Sequence, residues 1–177
     1  SWRGRKAFSL STGKKMFFYS ATKGRRIERI FEIDVPMAQA VATGDLNGDG
    51  YVDLVFACQA KSPVNPQGQC SYVYLGSDRG FRTEDRIAVE TRMACAVDVS
   101  GNEMLFAQCA AGRCYTNDAL LFSFRDGKLD DIPRRYAGEN MHRAFFVENP
   151  GQEKRIFLVN HYSRSSVGYD KAFVYWG

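Results

Sequence analysis

Short apolar and aromatic runs separated by polar turns recur along the chain and predict β-strands. Three continuous apolar runs of strand length occupy residues 54–57, 104–107 and 156–159. Gly, Asn and Asp, which favour turns, follow such runs, for example at residues 76–80 and 125–127. The pattern therefore predicts an all-β chain built from short strands.

The chain repeats itself. A Met-x-x-Ala element occurs at residues 37–40, 93–96 and 141–144. An aromatic and β-branched run recurs at residues 17–20, 73–76, 121–124 and 174–177, and the first two intervals between its copies equal those between the Met-x-x-Ala elements. A repeat of about 50 residues with about four antiparallel strands is typical of a β-propeller blade, whose sheet is apolar on both faces because neighbouring blades cover it.

Residues 27–35 fit either a helix or a strand. Ile27, Ile30 and Phe31 would share one face of a helix, whereas Phe31, Ile33 and Val35 alternate as they would in a strand. The first step of the repeat superposes this segment on residues 86–90. We therefore predict a strand.

The repeats divide the chain into a single β-propeller segment. We predict a partial blade at residues 1–36, complete blades at 37–92 and 93–140, and a partial blade at 141–177. Because a closed ring usually needs 4–8 blades, about three and a half four-stranded blades are expected to be a fragment of a larger ring, for example a seven-bladed one.

Composition narrows the possible partners. A net charge of +4, from 24 Lys and Arg against 20 Asp and Glu, is too small to indicate nucleic-acid binding. No run of about 18 apolar residues occurs, so no membrane span is expected. The segment 1–30 holds nine cations against one anion, Glu28. This segment fits a solvated basic face or, alternatively, contact with a polyanion such as a sulfated polysaccharide.

The clearest chemical motif is the acidic loop at residues 44–53. Its side-chain oxygens fall at alternate positions with one gap, and the backbone carbonyl of the residue in the gap can take the missing place. Hard cations such as Ca²⁺ take six to eight oxygen ligands, whereas Mg²⁺ keeps several waters. We therefore predict a Ca²⁺ site whose ligands are Asp45, Asn47, Asp49, Asp53 and the Tyr51 carbonyl.

The ligand spacing is that of an EF-hand, but the context differs. An EF-hand needs a bidentate Glu at its twelfth position. Counted from Asp45, that position is Phe56, which lies inside an apolar run. The loop is therefore predicted to lie between strands and not between helices.

The motif Asp-x-Asn-x-Asp-Gly-x-x-Asp, preceded by residues 41–44 and followed by 54–57, resembles the calcium loop of FG-GAP (VCBS-type) repeats. These repeats form the propellers of integrin α chains and of many secreted proteins. The resemblance is close over about residues 41–81 and weaker elsewhere. It implies that calcium has a structural role in the turn between the first two strands of a blade, and that function resides in the faces of the ring.

The equivalent turns of the later units depart from the pattern. Residues 98–103 are too short between their outer acids to wrap an ion in the same way. In the last unit Arg155 takes the position of Asp53. Arg155 either donates hydrogen bonds to the loop in place of the metal or faces solvent.

The cysteines suggest disulfide bonds. Cys58 ends one predicted strand and Cys70 opens the next, so a hairpin would place them at a distance that a disulfide can bridge. Cys109 and Cys114 bracket the equivalent hairpin of the next unit. Cys95, which aligns with Gln39 and Arg143 near the ring axis, is left without a partner in this chain. Two such bridges indicate an oxidising compartment.

We expect a secreted or cell-surface scaffold that binds calcium and acts in adhesion through an extracellular protein or glycan ligand, alongside the remaining blades of the same protein. Catalysis is not expected, because the chain has no Gly-x-Ser-x-Gly elbow, phosphate loop or dinucleotide fingerprint. Two alternatives stay open. One is a propeller lyase or hydrolase acting on polysaccharide, and the other is a calcium-dependent carbohydrate-binding module.

Overall fold

The chain folds into short antiparallel strands that form four sheets. A computed structural model describes residues 7–21, 26–59, 70–109, 117–160 and 172–176, and the helical structure in these ranges is one 3-10 turn at Thr83–Asp85. The first sheet contains β1 (Ala7–Ser11), β2 (Lys15–Ala21) and β3 (Ile27–Asp34). The second contains β4 (Ala38–Gly44), β5 (Asp53–Cys58), β6 (Cys70–Tyr74) and β7 (Ile87–Glu90).

The last two sheets complete the described structure. The third contains β8 (Ala94–Ser100), β9 (Glu103–Gln108), β10 (Ala119–Arg125), β11 (Lys128–Leu129) and β12 (Arg134–Tyr136). The fourth contains β13 (Met141–Val147), β14 (Arg155–Asn160) and β15 (Ala172–Trp176). Consecutive strands of a sheet pair antiparallel, except that β11 and β12 both pair with β10 and not with each other.

The strand predictions agree with this structure. The apolar runs at residues 54–57, 104–107 and 156–159 lie in β5, β9 and β14. The ambiguous segment at residues 27–35 forms strand β3, as the repeat step predicted. The all-β prediction is confirmed.

The interior consists of three apolar layers, each between two successive sheets. Leu54 and Phe56 of β5 pack with Phe18 of the first sheet, whereas Val55 of the same strand packs with Phe106 of the third. The third layer lies between the third and fourth sheets. Because alternate side chains of a strand point to opposite faces, β5 is buried on both sides, and its apolar run is continuous for that reason.

The first strands of the second, third and fourth sheets lie next to one another in space, in the order in which they occur along the chain. Strand β4 lies against β8, and β8 lies against β13. No sheet among the described residues closes on itself, so the propeller stays a prediction. The described ranges also contain no helix with the length and apolar character needed to cross a membrane.

A bulge recurs at the same point of β4, β8 and β13. The pairing slips at Gln39, at Cys95 and at His142, each of which is the extra residue between two paired neighbours. Met37 and Asn140, which stand two residues before the first and last bulges, both have a positive φ, of 58° and 39°. The bulge is therefore a feature of the repeat.

The bulges correct one alignment made from the Met-x-x-Ala element. Arg143 was aligned with Gln39 and Cys95, but His142 occupies that position. Met141 pairs with the last residue of its neighbouring strand, as Ala38 does, and so is not equivalent to the Met of the earlier elements. The last Met-x-x-Ala match is therefore shifted by one residue.

Sheets two and three approach closely at Gly44. A Cβ atom at this position would lie 2.4 Å from Cγ1 of Val99, which belongs to the neighbouring first strand. Real Cβ atoms do not approach other atoms so closely, and a side chain here would push the two strands apart.

We expect Gly44→Ala to lower the free energy of unfolding by about 1–3 kcal/mol because of this overlap. In a Val99→Ala background the penalty should shrink, since the overlapping methyl group is gone. Urea denaturation of the two single variants and the double variant measures the coupling. Additive effects would contradict the contact.

Candidate functional site

The acidic loop joins β4 to β5 and lies between strands, as predicted. Gly44 and Asp53 pair across its base. Gly48 and Gly50 have φ values of 73° and 84°, which glycine adopts readily and other residues rarely do. These two glycines let the segment 45–52 reverse direction without a helix.

Hydrogen bonds from the loop's own backbone organise its exposed part. Asp45 accepts from the N–H of Asp49 at 3.1 Å and of Gly50 at 3.0 Å. Asn47 accepts from the N–H of Asp49 at 3.2 Å, and its amide donates to the Asp49 carboxylate at 2.8 Å. Asp49 also accepts from the N–H of Tyr51 at 2.8 Å. The structure thus brings three of the predicted ligands together at the surface.

Asp53 has a different environment, because its side chain is completely buried. One carboxylate oxygen accepts from the N–H of Leu46 at 2.7 Å, and the other accepts from the N–H of Gly76 at 2.7 Å. The first bond fixes the loop, and the second fixes the turn that follows β6. Asp53 is therefore an anchor between two connections of the second sheet.

The pKa of Asp53 is raised, chiefly because burial disfavours the charged form. The two backbone hydrogen bonds act in the opposite direction, and the negative charges of Asp49 and Asp45 raise the pKa further. The three carboxylates of the loop therefore repel one another, and one of them, that of Asp53, is buried.

This donor chemistry fits a hard divalent cation. Three carboxylates, one amide oxygen and the Tyr51 carbonyl occur within the segment 45–53, and a bound cation would offset the repulsion. In the described residues, however, no three His, Cys, Asp or Glu side chains are already gathered as a metal cluster. The ligand set stays a prediction.

Two residues that sequence reasoning missed complete the arrangement. Leu46 inserts a buried side chain into the layer between the second and third sheets. Gly76 approaches so closely that a Cβ atom there would lie 2.3 Å from the carbonyl oxygen of Val52. The available signal was a glycine directly after the apolar run of β6.

The equivalent turns are built differently, as their sequences predicted. In the third sheet two residues, 101 and 102, connect β8 to β9, and Asp98 accepts from the N–H of Phe146 at 2.9 Å. In the fourth sheet Arg155 donates to the Gln152 side chain at 3.1 Å and lies over the Trp176 ring at 4.3 Å. Arg155 therefore does donate to its own loop, which supports the first of the two interpretations.

The predicted disulfide bond between Cys58 and Cys70 is not present in the described structure. Cys58 and Cys70 stand opposite each other when the β5–β6 register is continued, but no disulfide joins them. Burial raises the pKa of Cys58 to about 12, so this thiol is unreactive. Cys114 lies outside the described residues, so its predicted bridge to Cys109 stays a prediction.

Cys95 was left without a disulfide partner in this chain, and in the described structure it is a free cysteine. Its thiol lies beside that of Cys109, and the interaction between them raises the pKa of Cys95 and lowers that of Cys109. The bulge in β8 makes Cys95 the extra residue there, and a hairpin count from sequence could not reveal that contact.

The basic segment at the beginning of the chain is partly neutralised. Lys15 pairs with Glu32 at 2.6 Å, and Arg29 pairs with the same carboxylate at 3.1 Å. Lys15 also lies 3.5 Å from Asp34. These acids follow just after the segment 1–30 in which the cations were counted, so the described part of the segment is less basic than its sequence indicated.

Comparison with known proteins identifies one repeat. The family model of the FG-GAP repeat matches residues 37–57, which cover β4, the acidic loop and nearly all of β5. No curated protein and no solved structure matches the chain. The resemblance drawn from the sequence is therefore confirmed for the FG-GAP repeat, while its VCBS and integrin details stay predictions.

We expect Asp53→Ala to lower the free energy of unfolding by about 3 kcal/mol in calcium-free buffer, because two buried N–H groups lose a charged acceptor. The exposed Asp49→Ala should cost less than about 1 kcal/mol under the same conditions. Urea denaturation followed by circular dichroism compares the two. Equal losses would contradict the role of Asp53 as an anchor.

Proposed function

Because the chain carries an FG-GAP repeat at residues 37–57, we propose that it is a calcium-binding segment of an extracellular or cell-surface β-propeller that binds a protein partner without catalysis. FG-GAP repeats occur in extracellular and cell-surface proteins, and they suggest adhesion or binding. The observation that carries the calcium part is the buried Asp53 carboxylate, which lies close enough to Asp45 and Asp49 to be affected by their charges.

The order of the sheets supports the propeller. The first strands β4, β8 and β13 are successive neighbours, and each apolar layer lies between consecutive sheets. Blades arranged around an axis produce both features, since each blade covers the next.

Calcium would be held by the side chains of Asp45, Asn47, Asp49 and Asp53 and by the Tyr51 carbonyl. When bound, the ion supplies positive charge that offsets the repulsion among the three carboxylates. The residues themselves supply the rigidity: Asp53 links the loop to Gly76, and Leu46 anchors it in the apolar layer. Calcium is therefore proposed to stiffen a surface that is already tied to the core.

A groove beside the loop is the surface we propose for the partner. It is lined by residues 45–48 and 101–102, which belong to connections of the second and third sheets, and by residues 124–127 at the end of β10 and in the turn after it. One wall is thus the calcium loop, and the other wall belongs to the next sheet. Stiffening the loop would fix the shape of this groove, so binding of the partner is expected to depend on calcium.

Isothermal titration calorimetry tests the ion site. The full chain should bind Ca²⁺ with a Kd of about 10⁻⁴–10⁻³ M, the range of extracellular modules. Asp49→Ala should abolish binding, whereas Asp78→Ala, which removes an exposed carboxylate outside the loop, should not change it. An unchanged isotherm for Asp49→Ala would discredit the ligand assignment.

Thermal unfolding gives an independent measure. Ca²⁺ at one hundred times its Kd should stabilise the chain by about 2.7 kcal/mol, and a chelator should remove this gain. The gain should be absent in Asp49→Ala and retained in Asp78→Ala. Equal stabilisation by Mg²⁺ would argue against a calcium site.

A glycan array with and without chelator tests the choice of a protein partner. Silence on all glycans is expected. Retention that depends on calcium would favour a carbohydrate-binding module, and release of product would favour a polysaccharide lyase or hydrolase. Either result would overturn the proposed function while leaving the calcium site intact.

A further inference from the structure

Two cysteines of the third sheet lie at the point where β8 begins and β9 ends. Cys109 directly follows β9, and its N–H donates to the carbonyl of Met93 at 3.0 Å. Cys95 is the extra residue of the bulge in β8. The sulfur of Cys95 lies 3.5 Å from the carbonyl oxygen of Ala107 in β9, and the sulfur of Cys109 lies 3.4 Å from the carbonyl oxygen of Met93 just before β8. The two thiols therefore lie side by side at this end of one sheet, close enough to affect each other's pKa.

Neighbouring sheets enclose this pair. The amide of Gln59, which follows β5 in the second sheet, donates to the sulfur of Cys109 at 3.2 Å. The sulfur of Cys95 lies 3.0 Å from the carbonyl oxygen of Met141, in the fourth sheet. Both thiols are half-buried. The pair is therefore held in place by three sheets and is still reachable by a small reagent.

The fold does not require cysteine at these positions. In the second sheet Gln39 occupies the equivalent bulge, and Gln59 follows the second strand as Cys109 does. The N–H of Gln59 donates to Met37 just as that of Cys109 donates to Met93, both at 3.0 Å. A glutamine pair serves the same backbone, so the thiols add a chemistry that packing does not demand.

The two thiols have different acidities. The hydrogen bond from Cys95 lowers the pKa of Cys109, and the amide of Gln59 acts in the same direction, while burial opposes both. The pKa of Cys95 is raised by the same hydrogen bond and by burial. Cys109 is therefore the thiol that supplies the thiolate, which is the nucleophile in disulfide exchange.

We propose that Cys95 and Cys109 are a redox-active thiol pair that low-molecular-weight disulfides, such as glutathione disulfide, oxidise to an intramolecular disulfide. The Cys109 thiolate attacks one sulfur of the reagent, breaking its S–S bond and releasing one glutathione, which takes up the proton lost by Cys109. The deprotonated sulfur of Cys95 then attacks Cys109 and expels the second glutathione, which takes up the other proton. Two protein thiols are oxidised, and one glutathione disulfide is reduced to two thiols.

Oxidation of the pair would also affect a contact with the fourth sheet. It removes the S–H group of Cys95, whose sulfur lies 3.0 Å from the carbonyl oxygen of Met141. The redox state of the pair would therefore alter a contact between β8 and β13. This inference does not depend on calcium binding or on the proposed partner.

Peptide mapping of the full chain tests the pair directly. The reduced, folded protein is incubated with glutathione disulfide, the remaining thiols are alkylated, and the chain is digested with trypsin without reduction. No Lys or Arg lies between Met93 and Arg113, so Cys95 and Cys109 fall in one peptide, 93–113. We expect this peptide to lose two hydrogen atoms and to carry no alkyl group.

The competing bridges give different products. A Cys109–Cys114 bond would join peptide 93–113 to peptide 114–125, and a Cys58–Cys70 bond would join peptides 30–61 and 62–79. A cross-link between peptides 93–113 and 114–125, a fully alkylated peptide 93–113, or a glutathione adduct that persists on it would each overturn the proposal.

Matched variants complete the test. Cys95→Ser should stop the reaction at the glutathione adduct of Cys109, because the resolving thiol is gone. Cys114→Ser should form the internal bond as the original chain does. Should Cys95→Ser fail to fold, the Cys114→Ser result decides alone: loss of the internal bond in that variant would refute the pairing.

Discussion

Burial of the second strand on both of its faces is the constraint on which the rest of the structure depends. Every residue of β5 is buried, and its alternate side chains enter two different apolar layers. A sheet with such a strand is stable only when another sheet covers each face, since exposing either row would return apolar area to water. The chain satisfies this by placing its sheets one after another, and their first strands become neighbours as a result. The connections are thereby left at the ends of the strands, where the acidic loop lies.

Asp53 is the charged exception within this apolar strand. Its burial is tolerated because each carboxylate oxygen receives a backbone hydrogen bond, one from the loop and one from the turn after β6. The same burial raises the pKa of Asp53. Because a carboxylate removed from water is poorly screened, burial also strengthens the repulsion between Asp53 and the charges of Asp45 and Asp49. Packing of β5 and the proposed cation site in the loop are thus linked through one side chain.

The sequence predicted the strands well and the site only in part. A strand buried on both faces needs a continuous apolar run, so the run at residues 54–57 predicted β5. The ambiguous segment of β3 was predicted as a strand because the repeat aligns it with a later segment of the chain. The separate role of Asp53 could not be predicted, because a metal ligand and a hydrogen-bond acceptor use the same carboxylate oxygens. The contact of Cys95 with Cys109 depends on a bulge, which shifts pairing by one residue and leaves no mark in composition. The same slip explains why Arg143, and not His142, was aligned with Cys95.

The residue that opens the second strand is charged in the last three sheets, yet each sheet stabilises the charge differently. Asp53 accepts two backbone hydrogen bonds, and Glu103 pairs with Lys154 at 3.0 Å and with Arg134. Arg155 donates to Gln152 and lies over the Trp176 ring. The Glu103 charge already has cationic partners, and Arg155 is itself a cation, so in neither turn is this residue an unbalanced negative charge. Among these three described turns, the one at Asp53 brings negative charges together without an ion pair to a protein cation, and this is why the calcium site is proposed at that turn.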